Sequence, residues 1–171
     1  HLSALPIFSH KIRDLGGEGI LVSPDLGGLR RISQISDMLN KMDWIATVKD
    51  RDLNTGKIVI DQIEGDVNKI KNRAFLVDDM IATASSLIEA VTALKQHGAK
   101  GIYAAASHGV LSGPAKERIA NCKELLEVVI TNSIPLVDAA ANPKIKQLSI
   151  APLLAEAIAR DSLRRAHRRV L

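Results

Sequence analysis

Arg-Ala-Phe-Leu-Val-Asp-Asp-Met-Ile-Ala-Thr-Ala-Ser-Ser, residues 73–86, is the stretch from which the organisation of the chain follows. Its apolar part, residues 74–77, has the length of a single buried strand. Apolar residues recur at helical spacing over residues 87–94 and stop before Gly98, and glycine is the residue type that commonly follows a helix. The stretch therefore predicts a strand that is followed by two carboxylates, a hydroxyl-rich loop and the first turn of a helix.

The polar residues of this stretch have the chemistry of a sugar phosphate site. A helix N-terminus offers unpaired N–H groups and the positive end of the dipole, and the hydroxyls of Thr83, Ser85 and Ser86 add donors for a phosphate. The carboxylates of Asp78 and Asp79 accept hydrogen bonds, which suits the vicinal hydroxyls of a sugar or the waters of a magnesium ion. Together these groups fit a ribose 5-phosphate. Considered alone, the stretch is equally compatible with Asp79 capping the helix and Asp78 occupying a turn.

A second strand, loop and helix precede it. A strand is predicted at residues 19–22, the turn Ser-Pro-Asp-Leu-Gly-Gly covers residues 23–28, and apolar residues recur at helical spacing over residues 29–42. Ligands of open α/β sheets bind outside the carboxyl ends of the strands, where Asp25 is expected. Considered alone, this turn is better explained by the backbone geometry that Gly and Asp allow.

A charged segment, Lys-Asp-Arg-Asp-Leu-Asn-Thr-Gly-Lys, covers residues 49–57 and predicts an exposed loop before a hairpin return. Lys49 and Arg51 could close over a polyphosphate as electrophilic groups that arrive with the substrate. Composition alone favours a solvated loop.

The remaining segments predict one α/β domain over residues 1–171. Strands are expected at residues 44–48, 101–106 and 126–130. Helices are expected at residues 11–15, from a first turn that contains Pro114 to about residue 121, and from residue 153 to about residue 159, with a continuation toward the Arg-rich end. Strands that alternate with helices predict a doubly wound, mostly parallel sheet flanked by helices. His108 follows one of these strands, and a lone histidine there is more commonly a hydrogen-bonded structural residue than a catalyst.

Composition argues against nucleic acid and membrane partners. Aromatic residues make up 2% of the 171 residues, so base-stacking platforms are nearly absent. The formal net charge of +4 arises from the last twelve positions, where five arginines are opposed only by Asp161, and a solvated helix end explains such a cluster best. The single cysteine, Cys122, and the absence of a signal peptide or long apolar run predict a soluble, cytoplasmic protein.

Four stretches together resemble a known family. Residues 75–86 resemble the phosphoribosyl diphosphate loop of type I phosphoribosyltransferase folds. Residues 23–28 (Ser-Pro-Asp-Leu-Gly-Gly), residues 106–115 (Ala-Ser-His-Gly-Val-Leu-Ser-Gly-Pro-Ala), and residues 131–136 with 147–158 are similar to ribose-phosphate pyrophosphokinases. Their order covers almost the whole chain, whereas the acidic-pair loop alone would indicate only the phosphoribosyltransferase fold.

The resemblance implies a reaction and partners. Members of this family have two similar halves, and the chain resembles the second, so the N-terminal half is expected to be absent from it. In the implied reaction, the C1 hydroxyl of ribose 5-phosphate attacks the β-phosphorus of ATP, with Mg²⁺ as cofactor, and AMP leaves. The family forms homo-oligomers, which is the expectation for the full-length protein. An isolated chain of this length is not expected to hold a complete active site.

The resemblance also assigns roles to individual residues. Asp78 and Asp79 would hold the ribose hydroxyls, and Asp25 would share a magnesium ion with a histidine of the other half. Lys49 and Arg51 correspond to the basic pair of the catalytic loop. The 5-phosphate would be held by the loop residues Thr83, Ala84, Ser85 and Ser86.

The chain departs from the family pattern at several positions. The usual loop reads Asp-Asp-x-x-Asp-Thr-Ala/Gly-Gly-Thr, whereas this chain has Ala82 in place of the third acid and Ser85-Ser86 in place of Gly-Thr. Asp50 stands where many members have a basic residue. These departures support one alternative, a non-catalytic, synthetase-associated regulatory subunit. Another alternative is a phosphoribosyltransferase acting on a base, which would need an aromatic-rich hood that is not evident here. A nucleic-acid binder ranks last.

Overall fold

The computed structural model describes residues 2–51, 58–70, 72–136 and 142–168. Within these ranges the chain forms one sheet with helices on both faces. The α-helices are α1 (Leu5–Asp14), α2 (Leu29–Met38), α3 (Ser85–Gln96), α4 (Ala115–Asn121) and α5 (Ala151–Arg168). The strands are β1 (Ile20–Ser23), β2 (Trp44–Arg51), β3 (Ile58–Glu64), β4 (Arg73–Ile81), β5 (Gly101–Gly109), β6 (Leu125–Thr131) and β7 (Ile145–Leu148). Short 3-10 helices lie at Leu26–Gly28 and Val67–Lys69.

The strand order of the sheet is β3-β2-β1-β4-β5-β6-β7. Neighbouring strands are parallel except β2 and β3, which form an antiparallel hairpin at one edge. The chain extends from β1 to β3 on one side, returns to place β4 beside β1, and continues to β7 on the other side. Because the strand order reverses between β1 and β4, a crevice forms outside the carboxyl ends of these two strands. The predicted doubly wound, mostly parallel sheet is confirmed.

The central strand β4 divides the core into two layers. Phe75 and Val77 are 2% and 0% exposed and pack on one face, while Leu76 is 2% exposed and packs on the other. This alternation follows from the strand period of two, which sends successive side chains to opposite faces. Since both faces are covered, β4 is apolar at every position from residue 74 to residue 77.

The helices cover the two faces in pairs. Phe8 of α1 and Ile32 of α2 are fully buried in the layer that contains Phe75, whereas α3 and α4 pack on the opposite face. Leu94 of α3 is fully buried, and α3 ends before Gly98, whose φ of 95° places it in the left-handed region. None of the helices in the described ranges is long and apolar enough to cross a membrane.

Several strands extend beyond their apolar parts. β4 continues through the acidic pair to Ile81, where the sequence predicted a loop, because the parallel ladder with β5 pairs Asp78 with Ala106 and Met80 with His108. β2 likewise continues to Arg51 as it pairs with β3. Backbone pairing in a ladder does not depend on the polarity of the side chain, so apolar runs underestimate strand length.

Both ends of the described chain contain elements that the sequence did not predict. α1 begins at Leu5 instead of near residue 11, with Pro6 in its first turn, a position that proline favours because its missing N–H would have no partner there. β7 was not predicted, because Ile145–Leu148 has only four residues, two of them polar, and it is formed by parallel pairing with β6.

Candidate functional site

A cavity of about 190 Å³ lies at the point where the strand order reverses. Asp25, which follows β1, and Asp78 and Asp79 at the end of β4 line one part of it. The loop of residues 82–86, which leads into α3, lines another part. The fold therefore brings together the two strand–loop–helix units that the sequence analysis singled out.

Arg31 of α2 bridges the two acids. Its Nη1 lies 3.1 Å from Oδ1 of Asp78, and its Nη2 lies 2.9 Å from Oδ2 of Asp79. The backbone N–H of Asp79 also donates to Oδ1 of Asp78 at 2.8 Å. Asp79 is therefore not a helix cap, since its carboxylate is engaged by Arg31 and Ala84 occupies the N-cap position of α3. Arg31 could not be recognised as a site residue from the sequence, because a helical arginine is usually solvated.

Burial raises the pKa of Asp78 from the ordinary 3.8 to about 6. The neighbouring carboxyl of Asp79 contributes to this increase in pKa, while the backbone N–H of Asp79 and the guanidinium of Arg31 act in the opposite direction. A raised carboxyl pKa is common at binding and catalytic sites, where groups are withdrawn from water to meet a ligand.

We expect this pKa to make stability depend on pH in a specific window. Between pH 3.8 and about 6 the folded chain binds a proton at Asp78 that the unfolded chain has released. The contribution of Asp78 to stability is therefore fully present below pH 3.8 and is lost as the pH rises through about 6. The free energy of unfolding by urea can be measured for the wild type and for Asp78→Asn at intervals of about half a pH unit. The difference between the two proteins should change between pH 3.8 and about 6. A difference that is flat from pH 4 to pH 7 would contradict the raised pKa.

The loop before α3 has an unusual backbone conformation. Ala84 has a φ of 60°, in the left-handed region that residues with a Cβ rarely adopt. The hydroxyl groups of Thr83 and Ser85, on either side of it, lie 3.1 Å apart. Nη1 of Arg118, from α4, donates to the carbonyl oxygen of Thr83 at 2.9 Å and to Oγ of Ser85. Arg118 is a second residue that sequence analysis missed, because it lies more than thirty positions from the loop.

Asp25 shapes the turn after β1. Its Oδ1 accepts a hydrogen bond from the N–H of Gly28 at 3.1 Å. A Cβ on Gly28 would lie 2.2 Å from Oγ of Ser23 and 3.1 Å from Nη1 of Arg31. Gly28 is therefore needed because a side chain at this position would collide with Ser23 and crowd Arg31.

A magnesium ion at this cavity would need ligands in addition to the carboxylates of the described residues. In the described part of the chain, no group of three or more His, Cys, Asp or Glu side chains is placed to hold a metal. Asp25, Asp78 and Asp79 nevertheless line one cavity, and Mg²⁺ is often held by one or two carboxylates together with water and substrate phosphates. The donor set fits a substrate-bridged magnesium ion better than a permanent metal centre.

Comparison with known proteins identifies the family. The model of the phosphoribosyl synthetase-associated domain matches residues 54–168. The chain belongs to this family. The earlier resemblance to ribose-phosphate pyrophosphokinases is thereby confirmed.

Relatives of this phosphoribosyl synthetase-associated domain agree with the assignment. A ribose-phosphate pyrophosphokinase of Caldanaerobacter subterraneus subsp. tengcongensis is 44% identical over 162 residues, which cover 94% of this chain and 50% of the relative. A phosphoribosylpyrophosphate synthetase structure from Mycobacterium smegmatis is 34% identical, with a TM-score of 0.77 over 91% of this chain and 49% of that chain. The chain thus spans about half the length of the relatives it matches.

A more distant structure supports the fold alone. The purine phosphoribosyltransferase of Pyrococcus horikoshii is 20% identical, with a TM-score of 0.53 over 85% of this chain and 78% of that chain. The predicted type I phosphoribosyltransferase-like fold of the synthetase-associated domain is confirmed.

The structure says less about the other residues of this synthetase-associated domain that the sequence singled out. The backbones of Lys49 and Arg51 lie in β2, opposite Ile60 and Ile58 of β3, and their side chains lie outside the described part. Their catalytic roles stay predictions. His108 lies in β5, and its Nδ1 is 2.8 Å from Oγ of Ser133, as expected for a hydrogen-bonded histidine.

Proposed function

We propose that the chain is the ribose 5-phosphate-binding domain of a ribose-phosphate pyrophosphokinase, and that it corresponds to the C-terminal half of that enzyme. The observation that carries the proposal is the single cavity shared by the acidic pair and the loop before α3. Acceptors for sugar hydroxyls and donors for a phosphate therefore face one space, which is the complementarity that a sugar phosphate needs.

In the proposed reaction, the C1 hydroxyl oxygen forms a bond to the β-phosphorus of ATP. The bond between this phosphorus and the oxygen that bridges it to the α-phosphorus breaks, AMP leaves, and the hydroxyl proton is released. Asp78 and Asp79 would accept hydrogen bonds from the ribose hydroxyls and fix the sugar in the cavity. The N–H groups and hydroxyls from Thr83 to Ser86 would hold the 5-phosphate. Orientation of this kind accounts for much of the acceleration in phosphoryl transfer.

Basic residues and a metal ion would complete the site. Lys49 and Arg51 at the end of β2 would stabilise the charge that develops on the transferred diphosphate. Mg²⁺ would be held by Asp25 together with oxygens of the substrates, and when bound it would neutralise phosphate charge. We further propose that ATP binding involves the other half of the enzyme, and that the full-length protein is a cytoplasmic homo-oligomer.

The alternative of a non-catalytic subunit has less support. It drew on the departures from the family loop, which are Ala82 in place of the third acid and Ser85-Ser86 in place of Gly-Thr. The Ser85 hydroxyl is within hydrogen-bonding distance of Thr83 and Arg118, so this side chain takes part in the structure of the loop. The relatives reported above carry the enzyme name, which also favours the enzyme.

Calorimetric titration with ribose 5-phosphate tests the proposal. We expect saturable binding at one site, at least about tenfold tighter than inorganic phosphate, because the acidic pair adds hydrogen bonds to the sugar. Ribose 5-phosphate that binds no more tightly than inorganic phosphate, in a sample shown to be folded by circular dichroism, would refute the proposed site.

A further inference from the structure

Hydrogen bonds connect the loop before α3 to the segment that joins β5 to α4 and to α4 itself. The carbonyl oxygens of three successive residues accept hydrogen bonds, two from this segment and one from α4. Leu111 N–H donates to Ile81 at 3.0 Å, Ser112 N–H donates to Ala82 at 3.0 Å, and Arg118 Nη1 donates to Thr83 at 2.9 Å. The first two donors belong to the backbone, so only the third can be removed by a substitution that keeps the chain path.

These three bonds fix the direction of the peptide units. The described backbone contains no cis peptide bond, and in a trans peptide the N–H points away from the C=O. With the carbonyls of residues 81–83 turned toward the β5–α4 segment, the N–H groups of residues 82–84 turn to the opposite side. The loop lines the cavity and the three donor residues do not, so we infer that these N–H groups face the cavity.

Arg118 acts at the strained point of the loop. The left-handed conformation of Ala84, with a φ of 60°, is unfavourable for a residue with a Cβ. One nitrogen of Arg118 carries two hydrogens and donates to the residue before Ala84 and to the residue after it. This pair of bonds spans Ala84 and opposes relaxation of the loop toward an ordinary backbone conformation.

Arg118 also brings a positive charge to the start of α3. Among the ion pairs of the described residues, none joins Arg118 to a carboxylate. Its charge therefore adds to the positive end of the helix dipole beside Ser85. A phosphate bound at the loop would be attracted both by the charge of Arg118 and by the positive end of the α3 dipole.

We propose that Arg118 is a positioning residue for the phosphate of the ligand. It holds the loop of residues 82–85 in the conformation that presents its N–H groups to the phosphate, and its guanidinium adds charge at the same place. This inference rests on the proposed function, because it assumes that a sugar phosphate occupies the cavity.

The test compares Arg118→Met and Arg118→Lys with the control Arg160→Met. Arg160 is an arginine of α5 with a side chain that is 75% exposed and paired with Glu156, outside the cavity. Each variant is titrated with ribose 5-phosphate in a calorimeter, and its melting temperature is measured. The Arg118→Met titration is then repeated with added methylguanidinium, which can occupy the space of the missing group.

We expect Arg118→Met to bind ribose 5-phosphate roughly 10- to 150-fold more weakly than wild type, the loss for one hydrogen bond from the displaced loop to the charged phosphate. Arg118→Lys should lose less, Arg160→Met should match wild type, and methylguanidinium should restore part of the affinity. The melting temperature of Arg118→Met should stay close to that of wild type, because the side chain is exposed. If methylguanidinium restores affinity to Arg118→Met and the melting temperature of this variant is unchanged, Arg118 positions the loop. A defect of the fold alone would not respond to the added ion.

Three outcomes would overturn the inference, and they can be told apart. If the wild type binds and Arg118→Met binds as tightly as Arg160→Met, Arg118 has no role while the proposed function stands. If affinity and melting temperature fall together and methylguanidinium restores neither, Arg118 only supports the fold. If the wild type itself does not bind ribose 5-phosphate, the proposed function fails and the inference fails with it.

Discussion

Asp78→Asn/Asp79→Asn is expected to weaken ribose 5-phosphate binding by roughly 100- to 10,000-fold. Each carboxylate would accept a hydrogen bond from a sugar hydroxyl, and a hydrogen bond to a charged group contributes about 1.5–3 kcal/mol. Losing two such bonds corresponds to about 3–6 kcal/mol, or two to four powers of ten in affinity. Titration calorimetry at pH 8 measures this, since the Asp78 carboxyl, with its pKa of about 6, is then ionised in the wild type.

The fold should survive the double substitution. The amide oxygens of the two asparagines can still accept from Arg31, which now bridges both acids. Asp37→Asn is the matched control, because Asp37 lies on the exposed surface of α2 and pairs with Lys41. Affinity that drops equally in the control and the double variant would show a general effect of charge. Undiminished affinity in the double variant would place the sugar elsewhere.

Phe75→Ala is expected to cost about 3–5 kcal/mol of folding free energy, the usual loss for a buried phenylalanine. Phe75 is 2% exposed in the central strand β4, and its ring stacks on Tyr103 with 5.5 Å between ring centroids. Domains of this kind have a total stability of about 5–15 kcal/mol, so the variant would lose a large part of it. Equilibrium urea unfolding should show the midpoint lowered by about 2 M.

Ile158→Ala is the control for this measurement. Ile158 is 66% exposed on α5, so its truncation should change stability by no more than about 0.5 kcal/mol. Both substitutions remove a large apolar side chain, and they differ in burial. Equal losses in the two variants would contradict the assignment of Phe75 to the core.

The acidic pair and the loop before α3 could be predicted because their chemistry is local. Asp78, Asp79 and the hydroxyl residues after them lie within nine positions, at a change from strand to helix pattern that a single sequence displays. The end of the strand could not be predicted in the same way. β4 continues through the acids because β5 pairs with them, and the sequence of β4 does not contain its partner.

The residues that hold the site together could not be found in this way. Arg31 and Arg118 each resemble an ordinary solvated arginine on a helix, and neither lies near the acidic pair in sequence. The fold brings Arg31 to Asp78 from 47 positions away and Arg118 to Ser85 from 33 positions away. Their partners follow from how α2 and α4 pack against the sheet.

The sequence by itself determined the alternation of strands and helices, the apolar core of β4 and the chemical character of one cavity wall. These depend on periodicity and on neighbouring residue types, which act over a few positions. Only the tertiary structure decided that Asp25 shares the cavity with Asp78, that Arg31 bridges the acids, and that Arg118 holds the loop around Ala84. The reversal of strand order between β1 and β4 brings Asp25 to the acids, and the packing of helices on the sheet brings the arginines. Such long-range contacts are settled only by the free energy of the whole fold.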